Sequence, residues 1–350
     1  MENTTDPTAE TQANSSNSVT NAPKALHNTP IIPGAQFMAT AIPKPVELIG
    51  GIVDQASKLA IGGGSKAHKS WIFADLALSI ATGTDWLCFK TGTGPQRVLY
   101  LNFEIPAYHF QRRLEAVAAA KGIAVPDTLG VWNLRGCGIA VDKIDYDLSQ
   151  AALKFQAAMF ITDPLYKLLG DTDENSASEM AKLFNSLEAI AVKSNATAAY
   201  AGHFSKGNQA MKQAIDRISG SGVHGRDPDA IINFTPHKET DAYTVDVILR
   251  YNPPVAPFVV RWKYPLMELA AELDPKTLRA GAVRRQYSAK ELINILRLRG
   301  TIASRKEFWV LAHDRLNMSE STIKKLLKML DADPQVRHNE PEVWSFVEAN

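Results

Sequence analysis

One segment, Ala60-Ile-Gly-Gly-Gly-Ser-Lys-Ala-His-Lys-Ser-Trp71, restricts the possible folds of this chain more than any other. It follows Lys58-Leu-Ala-Ile-Gly62, which reads as a short buried strand. It precedes Lys69–Thr82, where Ile72, Leu76 and Ile80 recur at helical spacing before Gly83. A tight glycine turn from strand into helix can aim several backbone N–H groups at one phosphate. A lysine then neutralises the β/γ charge, and a hydroxyl reaches a Mg²⁺ ion. In the pattern G-x-x-x-x-G-K-[ST], Gly63 is the first glycine, Lys69 the lysine and Ser70 the hydroxyl. The expected cradle is Gly62, Gly63, Gly64, Ser65, Lys66, Ala67, His68, Lys69, Ser70 and Trp71. His68 stands where the pattern has glycine, and histidine reaches positive φ at a greater cost. The competing reading is a glycine-rich turn with an exposed lysine.

Three further strand-like runs end in groups that suit the same chemistry. Val98-Leu-Tyr-Leu-Asn-Phe ends at Glu104, a carboxylate able to polarise an attacking water. Met159-Phe-Ile-Thr ends at Asp163, where an acid could hold the water shell of Mg²⁺. Ala196–Ala201 is followed by Gly202 and His203, a polar group able to sense the γ-phosphate. Each has a plainer reading: a solvated strand end, an Asp-Pro turn, a structural histidine. In a parallel α/β sheet, however, ligands bind at the carboxyl ends of the strands, and all four features would meet at that edge.

The rest of the chain supports this α/β class. Expected strands are Arg97–Phe103, Ala157–Thr162 and Ala196–Ala201, alternating with helices Tyr108–Lys121 and Ala177–Asn195. Strands Ala230–Phe234, Tyr243–Leu249 and Phe258–Trp262 follow without helices between them. This predicts a mostly parallel sheet with an antiparallel extension. Hydrophobic residues make up 45% of the chain, enough for a sizeable core, which excludes wholesale disorder. The net charge of +1 excludes a uniformly basic coat but allows a local patch. Two cysteines, Cys88 and Cys137, are too few for a disulfide scaffold and fit a cytoplasmic location. No apolar run reaches about 18 residues, so a membrane partner is not expected. Trp71, Trp86, Phe103 and Tyr166 read as core residues, and Tyr108, Arg112 and Arg113 as a solvated helix face.

At this point the chain resembles the RepA-like AAA-type ATPases, whose core is the RecA/DnaB-type fold of hexameric replicative helicases. The resemblance rests on Gly62–Ser70, Leu99–Glu104, Ile161–Tyr166, Gly202–Gly207 and Asp216–Val223, and spans about residues 40–265. It implies a P-loop NTPase that uses ATP and Mg²⁺. Lys69 and Ser70 would bind phosphate and metal, Asp163 would be the Walker B acid, Glu104 the general base and His203 the sensor. Asp163 is followed by Pro164 and not by Glu, which matches RecA-type placement of the base on the earlier strand. The resemblance also implies a homo-oligomer, a hexamer, with single-stranded DNA in a central channel. Residues 216–229 would form the channel loop, and Arg226 and Arg250 are candidates for a basic finger acting on the neighbouring subunit. Ordinary surface or nucleic-acid contact is the competing reading for both.

Four segments are expected: a disordered tail over 1–35, the ATPase domain over 36–265, a linker over 266–285 and a basic unit over 286–350. In the last, Ser288 caps a helix through Arg299, with Glu291 at the capping-box position. Helices over Ser304–Leu311 and from Ser319 or Ser321 to Leu330 follow, and then a hairpin from Val336 and Val343–Phe346. Three helices and a hairpin form the winged-helix pattern. Lys276–Lys328 carries 13 Lys/Arg against 4 Asp/Glu, which leaves the remainder net acidic. Such a split points to an anionic partner. The third helix would meet duplex DNA through Ser321, Thr322, Lys324 and Lys325, with a solubilising face or a protein-docking module as the alternative. For the whole chain, a DNA-stimulated motor is the first reading. An ATP-switched initiator or regulator that does not translocate is the second.

Overall fold

The computed structural model describes residues 31–65, 67–92, 94–137, 141–169, 176–204, 209–218, 223–279, 288–316, 318, 320–330, 333–340 and 342–347. Contacts divide the chain into two units, Met1–Pro45 and Val46–Asn350. The first contains one short helix, α1 (Gly34–Ala39), with no buried residue. This helix straddles the end of the expected tail; residues 1–30 lie outside the described residues.

The second unit opens with a small hairpin, β1 (Glu47–Ile49) and β2 (Val53–Asp54). Then come β3 (Lys58–Gly63), α2 (Lys69–Thr82), β4 (Val98–Asn102), α3 (Ala107–Lys121), β5 (Leu129–Asn133) and α4 (Val141–Phe155). The alternation continues through β6 (Met159–Asp163), α5 (Ala177–Ser194), β7 (Thr197–His203) and the short α6 (Val223–Arg226). Four strands complete the sheet: β8 (Ala230–Pro236), β9 (Ala242–Leu249), β10 (Phe258–Lys263) and β11 (Leu266–Leu269). The order across the nine strands is β11-β10-β9-β8-β3-β7-β6-β4-β5. From β8 to β5 the neighbours run parallel; from β8 to β11 they run antiparallel. The expected parallel sheet with an antiparallel extension is therefore present.

Burial explains the composition of the central strands. β3, β4 and β6 are buried at every position, so their sequences are continuous apolar runs and not alternating ones. Alternate residues feed two cores. Val98, Tyr100, Met159, Ile161 and Ala199 pack under α2 and α3. Leu99, Leu101, Phe160, Ala198 and Tyr200 pack under α4 and α5. Gly83 and Gly122 end α2 and α3 in the left-handed conformation, and Ser176 accepts a bond from the Glu179 N–H at the start of α5.

Three features differ from the sequence expectation. β5 and α4 were not expected. β5 is an edge strand containing Gly130, and its exposure alternates, so it lacks the apolar run of a central strand. α4 contains Asp142, Lys143, Asp145 and Asp147, which weaken its apolar stripe. Leu266–Leu269 falls in the expected linker, yet pairs with β10 in the register Val260↔Leu269 to Lys263↔Leu266. Pro265 occupies the tight turn between them, a position where proline is compatible with a hairpin.

After this sheet the chain forms α7 (Ala289–Arg299), β12 (Thr301–Ile302), α8 (Arg305–Leu316), α9 (Glu320–Leu330), β13 (Val336–Glu340) and β14 (Val343–Phe346). The three strands form a separate antiparallel sheet, β12-β14-β13. Leu292, Leu296, Phe308, Ile323, Leu327 and Trp344 make its core. Ser288 and Glu291 form the expected capping box.

The loop end of β3 is packed without slack. A Cβ on Gly62 would lie 2.1 Å from Asn233 Oδ1 and 3.0 Å from Ile218. Gly62→Ala is therefore expected to lower unfolding free energy by about 1–3 kcal/mol. Gly64→Ala, which meets nothing within 4 Å, should stay within about 0.5 kcal/mol. Urea denaturation of the two variants checks the contrast.

Candidate active site

Parallel pairing puts the four chosen strand ends in line. Gly63 of β3 pairs with His203 of β7, and Asn102 of β4 pairs with Asp163 of β6. β7 lies between the loop strand and the Asp163 strand. At this edge a cavity of about 310 Å³ is lined by Ala67, His68, Lys69, Ser70, Trp71, Glu104, Arg113, Asp163, Pro164, Ala201 and His203. Lys69, Ser70, Glu104, Asp163 and His203 thus share one wall system. Gly62 and Gly63 end β3, and Gly64, Ser65 and Ala67 line a neighbouring hollow. Lys66 lies outside the described residues.

Lys69 begins α2 and its side chain is buried. Its Nζ donates to Gly63 O and Gly64 O, both at 3.0 Å, and lies 3.4 Å from His203 Nδ1. Burial lowers its pKa to about 8, against the pull of Asp163 and Glu104. The ammonium is held by loop carbonyls at the mouth of a positive helix end, which an anionic group would relieve.

Asp163 is buried at the cavity wall and accepts hydrogen bonds from the hydroxyls of Tyr100, at 2.8 Å, and Ser70. Burial raises its pKa, and these two bonds and Arg113 oppose the rise. Ser70 and Asp163 therefore offer two hard oxygen donors one hydrogen bond apart. Among the described residues there is no cluster of three or more His, Cys, Asp or Glu able to hold a metal. A pair of oxygens suits Mg²⁺ shared with phosphate and water, and does not make a self-contained cage.

Glu104 sits on the turn after β4. Asn102 builds that turn: its Nδ2 donates to Ile105 O at 2.7 Å, and its Oδ1 accepts from Ile105 N at 3.0 Å. Asn133 of β5 fixes the same amide at 3.0 Å. Glu104 itself is exposed and accepts a hydrogen bond from Tyr166. Tyr166, expected in the core, is part-exposed. Partial burial, aided by this bond to Glu104, pushes its phenol up to about 12. Trp86 and Phe103 are buried as expected.

His68 adopts φ 57° and ψ 22°, the left-handed conformation that glycine usually supplies. Its ring stacks on Trp262 of β10, with centroids 4.0 Å apart and planes within 8°. Tyr243 meets it edge-on at 6.3 Å. Burial lowers the His68 pKa, which favours the neutral ring.

The sequence reading missed one wall of the cavity. Arg113 lies over the Trp71 ring at 4.3 Å, its Nε is buried without a hydrogen-bond partner, and burial lowers its pKa. Tyr264 meets Trp71 edge-on at 5.2 Å. Helical spacing carries the missed signal, because Arg113 falls on the same face of α3 as the buried Phe110, Leu114 and Val117. Arg226 and Arg250 are elsewhere. Arg226 ends α6 and Arg250 follows β9, near the opposite end of the sheet, where Ala230 pairs with Leu249 and with Leu59. The Arg250 guanidinium donates to Asp229 at 3.5 Å and to Arg226 O. Neither arginine reaches the pocket of its own chain. Residues 219–222 of the expected channel loop lie outside the described residues.

The left-handed His68 costs roughly 1–2 kcal/mol in backbone strain, and the aromatic stack returns about 0.5–1.5 kcal/mol. His68→Gly removes both and should change stability little. His68→Ala keeps the strain and loses the stack, so it should melt lower than His68→Gly. Thermal unfolding of the two proteins measures the order.

Residues 31–209, just over half of the chain, match the family model described as an AAA domain. No curated protein matches it. Among solved structures it is similar to a KaiC-like protein of the hyperthermophilic archaeon Pyrococcus horikoshii, with 11% identity and a TM-score of 0.45 over 65% of this chain and 98% of that one. It is also similar to the RadB recombinase, with 12% identity and a TM-score of 0.45 over 61% of this chain and 90% of that one. Among the described residues no helix is long and apolar enough to cross a membrane.

Proposed function

We propose that this chain, which belongs to the AAA-domain family, binds ATP with Mg²⁺ and hydrolyses it at the strand-end pocket. The observation that carries the proposal is the meeting of Lys69, Ser70, Glu104, Asp163 and His203 around one cavity. Incoming phosphate would draw Lys69 Nζ from the Gly63 and Gly64 carbonyls to the β/γ oxygens. Ser70 and Asp163 would hold Mg²⁺, which supplies positive charge beside the phosphate oxygens. Glu104 would take the proton of a water that attacks the γ-phosphorus as ADP leaves. His203, 3.4 Å from Lys69 Nζ, would register whether the γ-phosphate is present. Trp71, Arg113 and Tyr264 offer planar faces beside the loop for the nucleobase.

The activity is further proposed to be that of a DNA-associated motor, a RecA-like helicase-type ATPase acting as a homo-oligomer of six subunits on single-stranded DNA. Support comes from the family resemblance and from the segment before α6. Ile218 rests against the backbone of Gly62 and Gly202, next to the phosphate loop and His203. Buried Arg217 ties the same segment to Asp246 and Thr235. A shift at the loop therefore has a packed route to Arg217 and Ile218. Arg226 is exposed and is the stronger candidate to act on a neighbouring subunit's nucleotide; Arg250 is engaged with Asp229 and Arg226. The C-terminal unit has the helix and strand order of a winged helix, and duplex DNA is proposed to meet α9 through Ser321, Thr322, Lys324 and Lys325.

That basic unit also favours a second reading, an ATP-switched initiator or regulator that does not translocate. Strand displacement with purified protein separates the two: site-specific duplex binding without unwinding selects the second.

Two results are expected for the hydrolysis itself. Lys69→Ala should abolish nucleotide binding, whereas Glu104→Gln should keep binding and lower kcat by about 10²–10⁴. Full turnover in either variant rejects the site. ATP affinity should also fall as pH rises. Free Lys69 loses its proton near pH 8, while the bound phosphate keeps it charged, so binding takes up a proton above that pH. Between pH 7 and 9 the affinity should drop roughly tenfold, measured by titration calorimetry in buffers of different ionisation enthalpy.

A further inference from the structure

We propose that the cleft between α8 and α9 docks an acidic amphipathic peptide segment of a partner protein. The cleft encloses about 360 Å³. Its floor is apolar: Trp309 from α8, and Ile323 and Leu327 from α9. Its rim carries Arg305 and Lys306 on one helix and Lys324 with Glu320 on the other, three cations to one carboxylate. The Trp309 indole is half-buried, packs partly against the core of this unit and stacks along its own helix on His313, with planes within 16°.

The rim charges can be recruited. Arg305 pairs with Glu342 at 3.2 Å and Lys324 with Glu320 at 2.9 Å, all four side chains being exposed. Pairs of this kind contribute little and exchange readily. Lys306 is exposed and has no ion pair among the described residues. An apolar slot with a net basic rim matches a helix carrying Leu or Phe at i, i+4 and i+7 with carboxylates beside them. A sugar-phosphate backbone would satisfy the rim, but would cover Trp309 and Ile323 with polar atoms, so a peptide fits better. The stretch Lys276–Lys328, with 13 basic and 4 acidic residues, supplies a long-range field of the same sign.

Helical geometry keeps this site apart from the proposed duplex contact. On α9, Thr322 and Lys325 turn away from the cleft side, which carries Ile323, Leu327 and Lys324, and Ser321 lies on the flank. Only Lys324 falls in both sets. The proposal does not rest on ATP hydrolysis, and its failure would leave the nucleotide site untouched.

The test uses the full chain and a fluorescein-labelled 14-residue peptide with Leu or Phe at i, i+4 and i+7 and Asp or Glu between them. Anisotropy should saturate below about 100 µM peptide-binding concentration. The double variant Lys306→Glu/Lys324→Glu should weaken binding by roughly tenfold or more. Lys325→Glu should stay within about twofold, because that charge faces away from Ile323 and Leu327. A scrambled peptide of the same composition should bind clearly less. Absence of saturation across peptides anchored by Leu, Phe or Trp overturns the proposal. So does equal binding of the scrambled peptide, or insensitivity to the first charge reversal. Complete displacement by a single-stranded oligonucleotide that itself loses affinity in Lys306→Glu/Lys324→Glu would assign the cleft to nucleic acid instead.

Discussion

The parallel pairing of β3 with β7 is the constraint on which the rest depends. With Gly63 set opposite His203, the start of α2, the end of β7 and the neighbouring Asp163 open toward the same space. A slip of one residue would invert the alternation that feeds the two cores. Ala60 and Ile61 of β3, which face opposite cores, would exchange sides, and neither helical layer would fit. The apolar packing therefore holds the polar edge in register. Charged groups that contribute nothing to the core are located by it.

The loop itself shows how a departure from a common pattern is accommodated. His68 occupies a backbone conformation that disfavours a side chain. The antiparallel extension, through Trp262 and Tyr243, gives that side chain a stacking surface. The extension thus does more than widen the sheet; it covers the loop from the side opposite Glu104. The same cluster continues through Trp71 to Tyr264 and Arg113. A phosphate loop, an aromatic patch and a buried guanidinium are joined in one contiguous wall, although they come from three separate stretches of sequence.

The described residues of the segment after β7 are anchored by Ile218 against Gly62 and Gly202, by Arg217 against Asp246, and by Asp227 against Lys58. Arg217 and Ile218 thus join the segment to the antiparallel extension and to the loop strand at once.

Much of this architecture was legible in the sequence. Continuous apolar runs mark strands buried on both faces, and the helix from Lys69 to Thr82 is marked by its spacing and its closing glycine. The carboxylates and histidine at strand ends, with the glycine loop, named the pocket because parallel α/β sheets gather ligands at one edge. Other features had no local signal. β5 and β11 are edge or hairpin strands, stabilised by neighbours distant in sequence. Arg113 looked solvated until the sheet placed Trp71 beneath it, and His68 looked like a defect until Trp262 lay against it. Sequence determines what each residue prefers; only tertiary packing determines which distant side chain it touches, and strain, stacking and burial of charge all depend on that contact.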